Sequence, residues 1–182
     1  MEKNKLKNMV LAAMFLGIGL VLPFLTGQIK YVGKMLLPMH IPVLLCGLIC
    51  GWKYGLSVGF ILPLLRSMMF GMPHMYPNAV AMAFELATYG FVSGFLYSHS
   101  RWQCVRALYR CLIIAMIAGR IVWGIAEVVL LGIGNGGFTV AAFITGAFAE
   151  AFPGIILQLI VIPVIMVSLN RAKLVHFKKD KK

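Results

Sequence analysis

Residues 9–25 read Met9-Val10-Leu11-Ala12-Ala13-Met14-Phe15-Leu16-Gly17-Ile18-Gly19-Leu20-Val21-Leu22-Pro23-Phe24-Leu25, without a charge, and Lys3, Lys5 and Lys7 stand just before them. A basic head on an apolar run is the pattern of a secretory signal or of a first membrane span that stays in the chain. A signal would be followed by a small-residue cleavage site. None follows here, and apolar segments continue to the end of the chain. Met9–Leu25 therefore reads as a retained first span, and the same reading extends to the rest of the sequence.

Five further apolar stretches occur at about 36–51, 54–71, 77–97, 105–132 and 138–169. The 182 residues are 61% hydrophobic and only 12% charged, with mean hydropathy +0.92. One soluble core could not hide that much apolar surface, whereas a bilayer hides it without a core. The expected fold is an all-α integral membrane protein, a six-transmembrane-helix bundle. Residues 1–182 form one membrane-embedded domain, with basic tails at 1–7 and 171–182. The second stretch opens with Pro38 and Pro42, which suit a first helical turn. Gly51-Trp52-Lys53 marks a tight turn into the third, and Pro153 and Pro163 predict kinks in the sixth.

The net charge of +12 would suggest nucleic acid in a soluble chain. Here the basic residues sit between the apolar runs and at the ends, which suits a membrane surface and excludes a nucleic-acid partner. Thirteen of the 17 lie in the N-terminus, the 52–53 turn, the 98–110 segment and the C-terminal tail. The alternate gaps hold only Lys30 and Lys34. Basic loops face the cytoplasm, so both termini are expected inside a multi-pass protein of the cell membrane (N-in/C-in). The tail His176–Lys182 would then lie near anionic lipid.

The chemistry of soluble enzymes is missing. Cys46, Cys50, Cys104 and Cys111 lie in or beside apolar runs, have no ligand partners at metal spacing, and read as inert buried thiols. Ser57, Ser67 and Ser93 lack a His and an acid at related depth. No Gly-rich phosphate loop opens a helix, so no cofactor is expected on this chain and ATP would be used by partner subunits.

Charges inside spans need a reason, since one at the centre costs about 2.5–3.5 kcal/mol on insertion scales. Under the expected topology these residues gather on the outer half of helices three to six. Arg66 lies near the outer end of the third span, followed by an outer loop that carries His74, Tyr76 and Asn78. Glu85 and Tyr89 are i and i+4 on the fourth; Arg120, Trp123 and Glu127 are i, i+3 and i+7 on the fifth. Asn135 follows in the next outer loop. Either the arginines and glutamates pair as glue between helices, or the set lines a pocket for a small polar ligand. Taken together the cluster reads as a substrate-binding pocket. His74 reads as a surface residue. Glu150 lies deeper than the others, as a possible structural partner of Arg120. On the first helix, Ala12, Ala13, Gly17 and Gly19 are small, and Ala13-x-x-x-Gly17 has the spacing of a helix contact. That contact could lie within the bundle or with another protein.

Four stretches bear a resemblance to a known family: Met39-His40-Ile41-Pro42-Val43-Leu44-Leu45-Cys46-Gly47, Gly51-Trp52-Lys53-Tyr54-Gly55, Phe70-Gly71-Met72-Pro73 and Ala81-Met82-Ala83-Phe84-Glu85-Leu86-Ala87-Thr88-Tyr89-Gly90. Together with the span count and the first helix, they resemble the substrate-binding S component of energy-coupling factor (ECF) vitamin transporters, most like the pantothenate-type branch. The resemblance implies vitamin uptake, with the vitamin bound from outside by the outer loops and helices four to six. It implies docking of the first helix on a membrane scaffold subunit that works with two cytoplasmic ATPases, and toppling of the S component to deliver its cargo. The family's docking motif is Ala-x-x-x-Ala; Ala13-x-x-x-Gly17 departs from it conservatively. Thr26–Leu37 would be a lid. For pantothenate, Arg66 or Arg120 would take the carboxylate, Tyr76, Asn78, Glu85 and Asn135 the hydroxyls and amide, and Trp123 the apolar part. Folate, a cobalamin precursor, riboflavin and a queuosine precursor are alternatives on the same scaffold. A small homo-oligomeric channel or facilitator is the competing function class.

Overall fold

A computed structural model describes residues 2–25, 38–100, 104–132 and 152–172. The lid segment Thr26–Leu37, Asn135, Glu150 and most of the C-terminal tail lie outside the described residues. The described elements are α1 (Glu2–Leu25), α2 (His40–Cys50), α3 (Trp52–Phe70), a wide turn at Met75–Ala79, α4 (Val80–His99), α5 (Val105–Gly132) and α6 (Phe152–Arg171).

Among the described residues, four helical stretches are long and apolar enough to cross a membrane: Lys5–Phe24, Met75–His99, Val105–Leu131 and Phe152–Arg171. The protein is thus a multi-pass, all-α bundle. α3 is 19 residues long and carries Lys53 and Arg66. α2 is different. Its 11 residues rise only about 16 Å at 1.5 Å each, roughly half of a hydrocarbon core. All of them except Ile49 are buried.

α2 can be so enclosed because its neighbours come very close. A Cβ on Gly47 would stand 2.5 Å from the carbonyl oxygen of Gly90, and one on Gly55 2.6 Å from the same oxygen. Gly59 likewise lies against the Leu86 backbone. α2, α3 and α4 therefore touch backbone to backbone through small residues. This is how helices associate where lipid offers no hydrophobic drive between them. α1 packs on α2 and α3, and α5 on α4 and α6. Two apolar clusters result: Ala12, Val43, Cys46, Val58, Leu62 and Leu86 on the α1–α3 side, and Leu44, Leu48, Tyr89, Leu108, Leu112, Ile162 and Met166 toward α5 and α6. α2 and α4 contribute to both.

Side-chain bonds identify the two ends of the bundle. At one end Tyr54 Oη donates to the Lys5 carbonyl at 3.3 Å, and Asn8 Nδ2 to the Cys50 carbonyl at 3.4 Å. Gly94 of α4 lies against the Trp52 backbone at the same end. The start of α1, the α2–α3 turn and the α4–α5 junction therefore meet there, and they bring Lys5, Lys7, Lys53, Arg106 and Arg110 to one end. At the other end Tyr76 Oη donates to the Leu130 carbonyl. That oxygen belongs to the last turn of α5, where carbonyls lack helical partners.

Several expectations are sharpened or corrected. The α2–α3 turn is Gly51 alone, at φ 95°, and Trp52 already opens α3. A left-handed φ of this kind is open to glycine and strained for other residues. α1 is helical from Glu2, so Lys5 and Lys7 lie within its first turns. Pro153 lies in the first turn of α6, where its missing N–H costs no helical bond, so it breaks nothing there. Cys46, Cys50 and Cys111 are buried, but Cys104 is exposed, since it stands just before α5 instead of inside it.

Candidate functional site

The costly residues of the middle spans converge on Glu85. α4 brings it to the face shared with α2 and α5, where it is 2% exposed. Arg120 Nη1, from α5, stands 3.2 Å from Glu85 Oε1, and Tyr89 Oη, one turn along α4, donates to the same oxygen at 3.0 Å. His40 Nε2 is 3.7 Å from it, and the His40 ring packs 5.2 Å from that of Tyr89 at a 57° tilt. Gly119, next to Arg120, makes this possible: a Cβ there would collide with the Tyr89 ring, so only glycine lets α5 approach α4 at this level.

Glu85 gathers its neighbours on one oxygen, Oε1, while Arg120 is under-used. Arg120 is 7% exposed, and its Nε and Nη2 have no hydrogen-bond partner among the described residues. Two adjacent N–H-bearing nitrogens on a planar guanidinium form a fork that matches a carboxylate. Glu85 anchors the third nitrogen, so the fork is held in orientation. Glu127, two turns along α5, is 5% exposed and forms no ion pair among the described residues. An acceptor and a two-pronged donor thus share one stripe of one helix.

The structure does not unite all the residues that the sequence singled out. Glu85, Tyr89 and Arg120 meet in one cluster, and Glu127 is buried on the same helix stripe. Trp123 lies between Arg120 and Glu127 in sequence and is half-buried. Tyr76 and Asn78 are exposed in the turn before α4, with Tyr76 tied to the end of α5. His74 is exposed, as a loop residue should be. Asn135 lies outside the described residues, as does Glu150.

Arg66 stands apart. Its Nη1 donates to the Leu20 carbonyl at 2.9 Å, and its guanidinium lies 5.3 Å from the Phe24 ring centroid and 5.8 Å from that of Phe70. The two rings meet edge-on at 4.8 Å. Arg66 therefore fastens the end of α1 to the end of α3.

On α1 the small residues divide between two faces. Ala12 is buried, and Gly19 lies against Leu62 of α3. Ala13 and Gly17 are exposed, and a Cβ on Gly17 would meet nothing within 4 Å. The Ala13-x-x-x-Gly17 stripe is thus not used within the described bundle.

Two buried polar residues were missed. His40 sits in a wholly apolar stretch beside two prolines, and a reading by depth on helices three to six never reached the second helix. Its signal was present all the same, as a lone histidine at the start of a short apolar helix. Gln158 of α6 is 1% exposed, with Nε2 unpartnered among the described residues. One amide in a long apolar run was the available signal.

No metal-holding group of His, Cys, Asp or Glu occurs among the described residues. A family model for the substrate-specific component of ECF transporters matches residues 7–166, nearly the whole chain. No curated protein and no solved structure matches. The chain belongs to the ECF transporter substrate-specific components, and it is a transport protein and not an enzyme.

Proposed function

We propose that the chain crosses the membrane six times with both termini in the cytoplasm, binds a water-soluble vitamin from outside, and delivers it inward with a scaffold subunit and two ATPases. The observation that carries the binding site is the half-used Arg120 guanidinium, held by Glu85 with Nε and Nη2 unpartnered among the described residues. Buried donors without acceptors cost free energy, and a ligand carboxylate would recover it. Pantothenate is the vitamin that fits best. Its carboxylate takes the Arg120 fork, Glu127 accepts from a hydroxyl, and Trp123 covers the apolar dimethyl carbon. Tyr76, Asn78 and Asn135 reach the amide from the outer loops, and Thr26–Leu37 closes over the site.

The exposed Ala13–Gly17 stripe supports docking of α1 on the scaffold, since a helix face of small residues lets another approach closely. ATP is then bound by the partner subunits alone. The basic end of the bundle, with Lys5, Lys7, Lys53, Arg106 and Arg110, supports its cytoplasmic placement.

A thermal-shift panel of vitamins on the purified chain tests the reading. Ligand stabilisation follows ln(1 + [L]/Kd), so pantothenate should give the largest shift. Arg120→Ala should then weaken its binding about 100-fold in calorimetric titration, as expected for truncating one partner of a buried charged contact. Wild-type affinity in that variant would remove Arg120 from the site. A larger shift with folate or riboflavin would replace pantothenate and leave the S-component assignment standing.

A further inference from the structure

The basic end of the molecule contains a cleft that vitamin binding does not use. A cavity of ≈ 510 Å³ opens between the end of α4 and the first turns of α5, lined by Leu96, His99, Arg106, Ala107, Arg110 and Ile114 among others. Arg106 and Arg110 are i and i+4, so they share one face of α5, and both are exposed. Neither forms an ion pair among the described residues. The chain has few acids to offer them: Asp and Glu number 5 against 17 Lys and Arg, and Glu85 and Glu127 are buried elsewhere. His99 Nδ1 is engaged by the Phe95 carbonyl at 2.9 Å and lies 3.2 Å from Ser98 Oγ, which leaves Nε2 for another partner.

The same helix face continues as pure hydrocarbon. Stepping from Arg110 by four, three, four and four residues reaches Ile114, Ile117, Ile121 and Ile125, each between 50% and 59% exposed. From Arg110 to Ile121 the stripe runs about 16 Å at 1.5 Å per residue, the depth of one leaflet. A positive head on an apolar stripe one leaflet long matches a molecule with an anionic head and an acyl tail. A soluble anion would leave the stripe unused. A protein partner is disfavoured by position, because α5 packs on α4 and α6 whereas α1, with its exposed small-residue stripe, packs on α2 and α3.

We infer that this cleft binds one anionic phospholipid. Its phosphate sits between Arg106 and Arg110 with His99 beside it, and one acyl chain lies along Ile114, Ile117 and Ile121. The inference is independent of which vitamin the protein carries.

Native mass spectrometry of the delipidated chain in uncharged detergent tests it, with phosphatidylglycerol, phosphatidylcholine and inorganic phosphate titrated separately. One phosphatidylglycerol should bind saturably, and about tenfold more tightly than phosphatidylcholine, given two basic residues at the headgroup. Arg106→Gln with Arg110→Gln should abolish that preference. Arg106→Lys with Arg110→Lys should keep most of it, and circular dichroism should show both variants as helical as the parent. Equal binding of the two lipids, an unchanged preference in the glutamine variant, or saturable binding of phosphate alone would each overturn the inference. So would normal lipid binding by a glutamine variant that no longer assembles with the scaffold, since the cleft would then be a protein interface.

Discussion

Arg66 and Arg120 are the buried arginines among the described residues, at 8% and 7% exposure. Their surroundings differ in kind. Arg66 meets a backbone carbonyl and two phenyl faces, all neutral, so its charge is cushioned and no acid among the described residues pairs with it. Arg120 meets a carboxylate that also holds Tyr89 and lies near His40, so four side chains stand or fall together. Burial and residue type are the same in both cases. On the proposed function, what separates a fastener from a binding group is the partner, and the donors left over once that partner has been served.

The largest expected effect is at the charged cluster. Glu85→Ala leaves Arg120 as an uncompensated buried charge and should destabilise the protein by about 3–5 kcal/mol. Reversible unfolding in mixed micelles would measure it, and a loss under 1 kcal/mol would mean that Arg120 is not held by Glu85. Next comes the fastener. Arg66→Ala removes a charged hydrogen bond and two ring contacts, worth together about 3 kcal/mol. Vitamin affinity, measured by titration below the unfolding temperature, should stay within about threefold of the parent. If the affinity fell as it does for Arg120→Ala, the contrast between the two arginines would collapse. Smallest is Tyr89→Phe, which deletes one of several donors to Glu85 and should cost about 1.5 kcal/mol in the same unfolding assay. An effect as large as that of Glu85→Ala would make Tyr89, and not Arg120, the main support of the carboxylate.

The helices were legible wherever lipid selects them. Apolar runs and interrupting charges located α1, α4 and α5 closely, because a bilayer imposes its own period and length on sequence. Glu85 and Arg120 were legible as well, since charges in spans are costly enough to be informative one by one, and Tyr89 followed from its i+4 spacing to Glu85. The separate position of Arg66 was not. Its partners are Leu20, Phe24 and Phe70, residues whose types announce nothing, and only the crossing of α1 with α3 brings them to it. His40 was hidden for a related reason: α2 is enclosed by protein, so the rules of the lipid boundary do not describe it. The division of α1 into a packed face with Ala12 and Gly19 and an open one with Ala13 and Gly17 also needed the helix neighbours to be known.

The enclosure of α2 bears on the order in which the protein is made. Eleven residues that meet almost no lipid gain little from partitioning into it, so α2 is retained in the bilayer by other helices. Its closest partner, Gly90 of α4, is synthesised some forty residues after α2 is complete. Until then α2 has α1 before it and α3 behind it, joined through the single residue Gly51. The α2–α3 hairpin therefore gains its backbone contact with Gly90 only once α4 has been made.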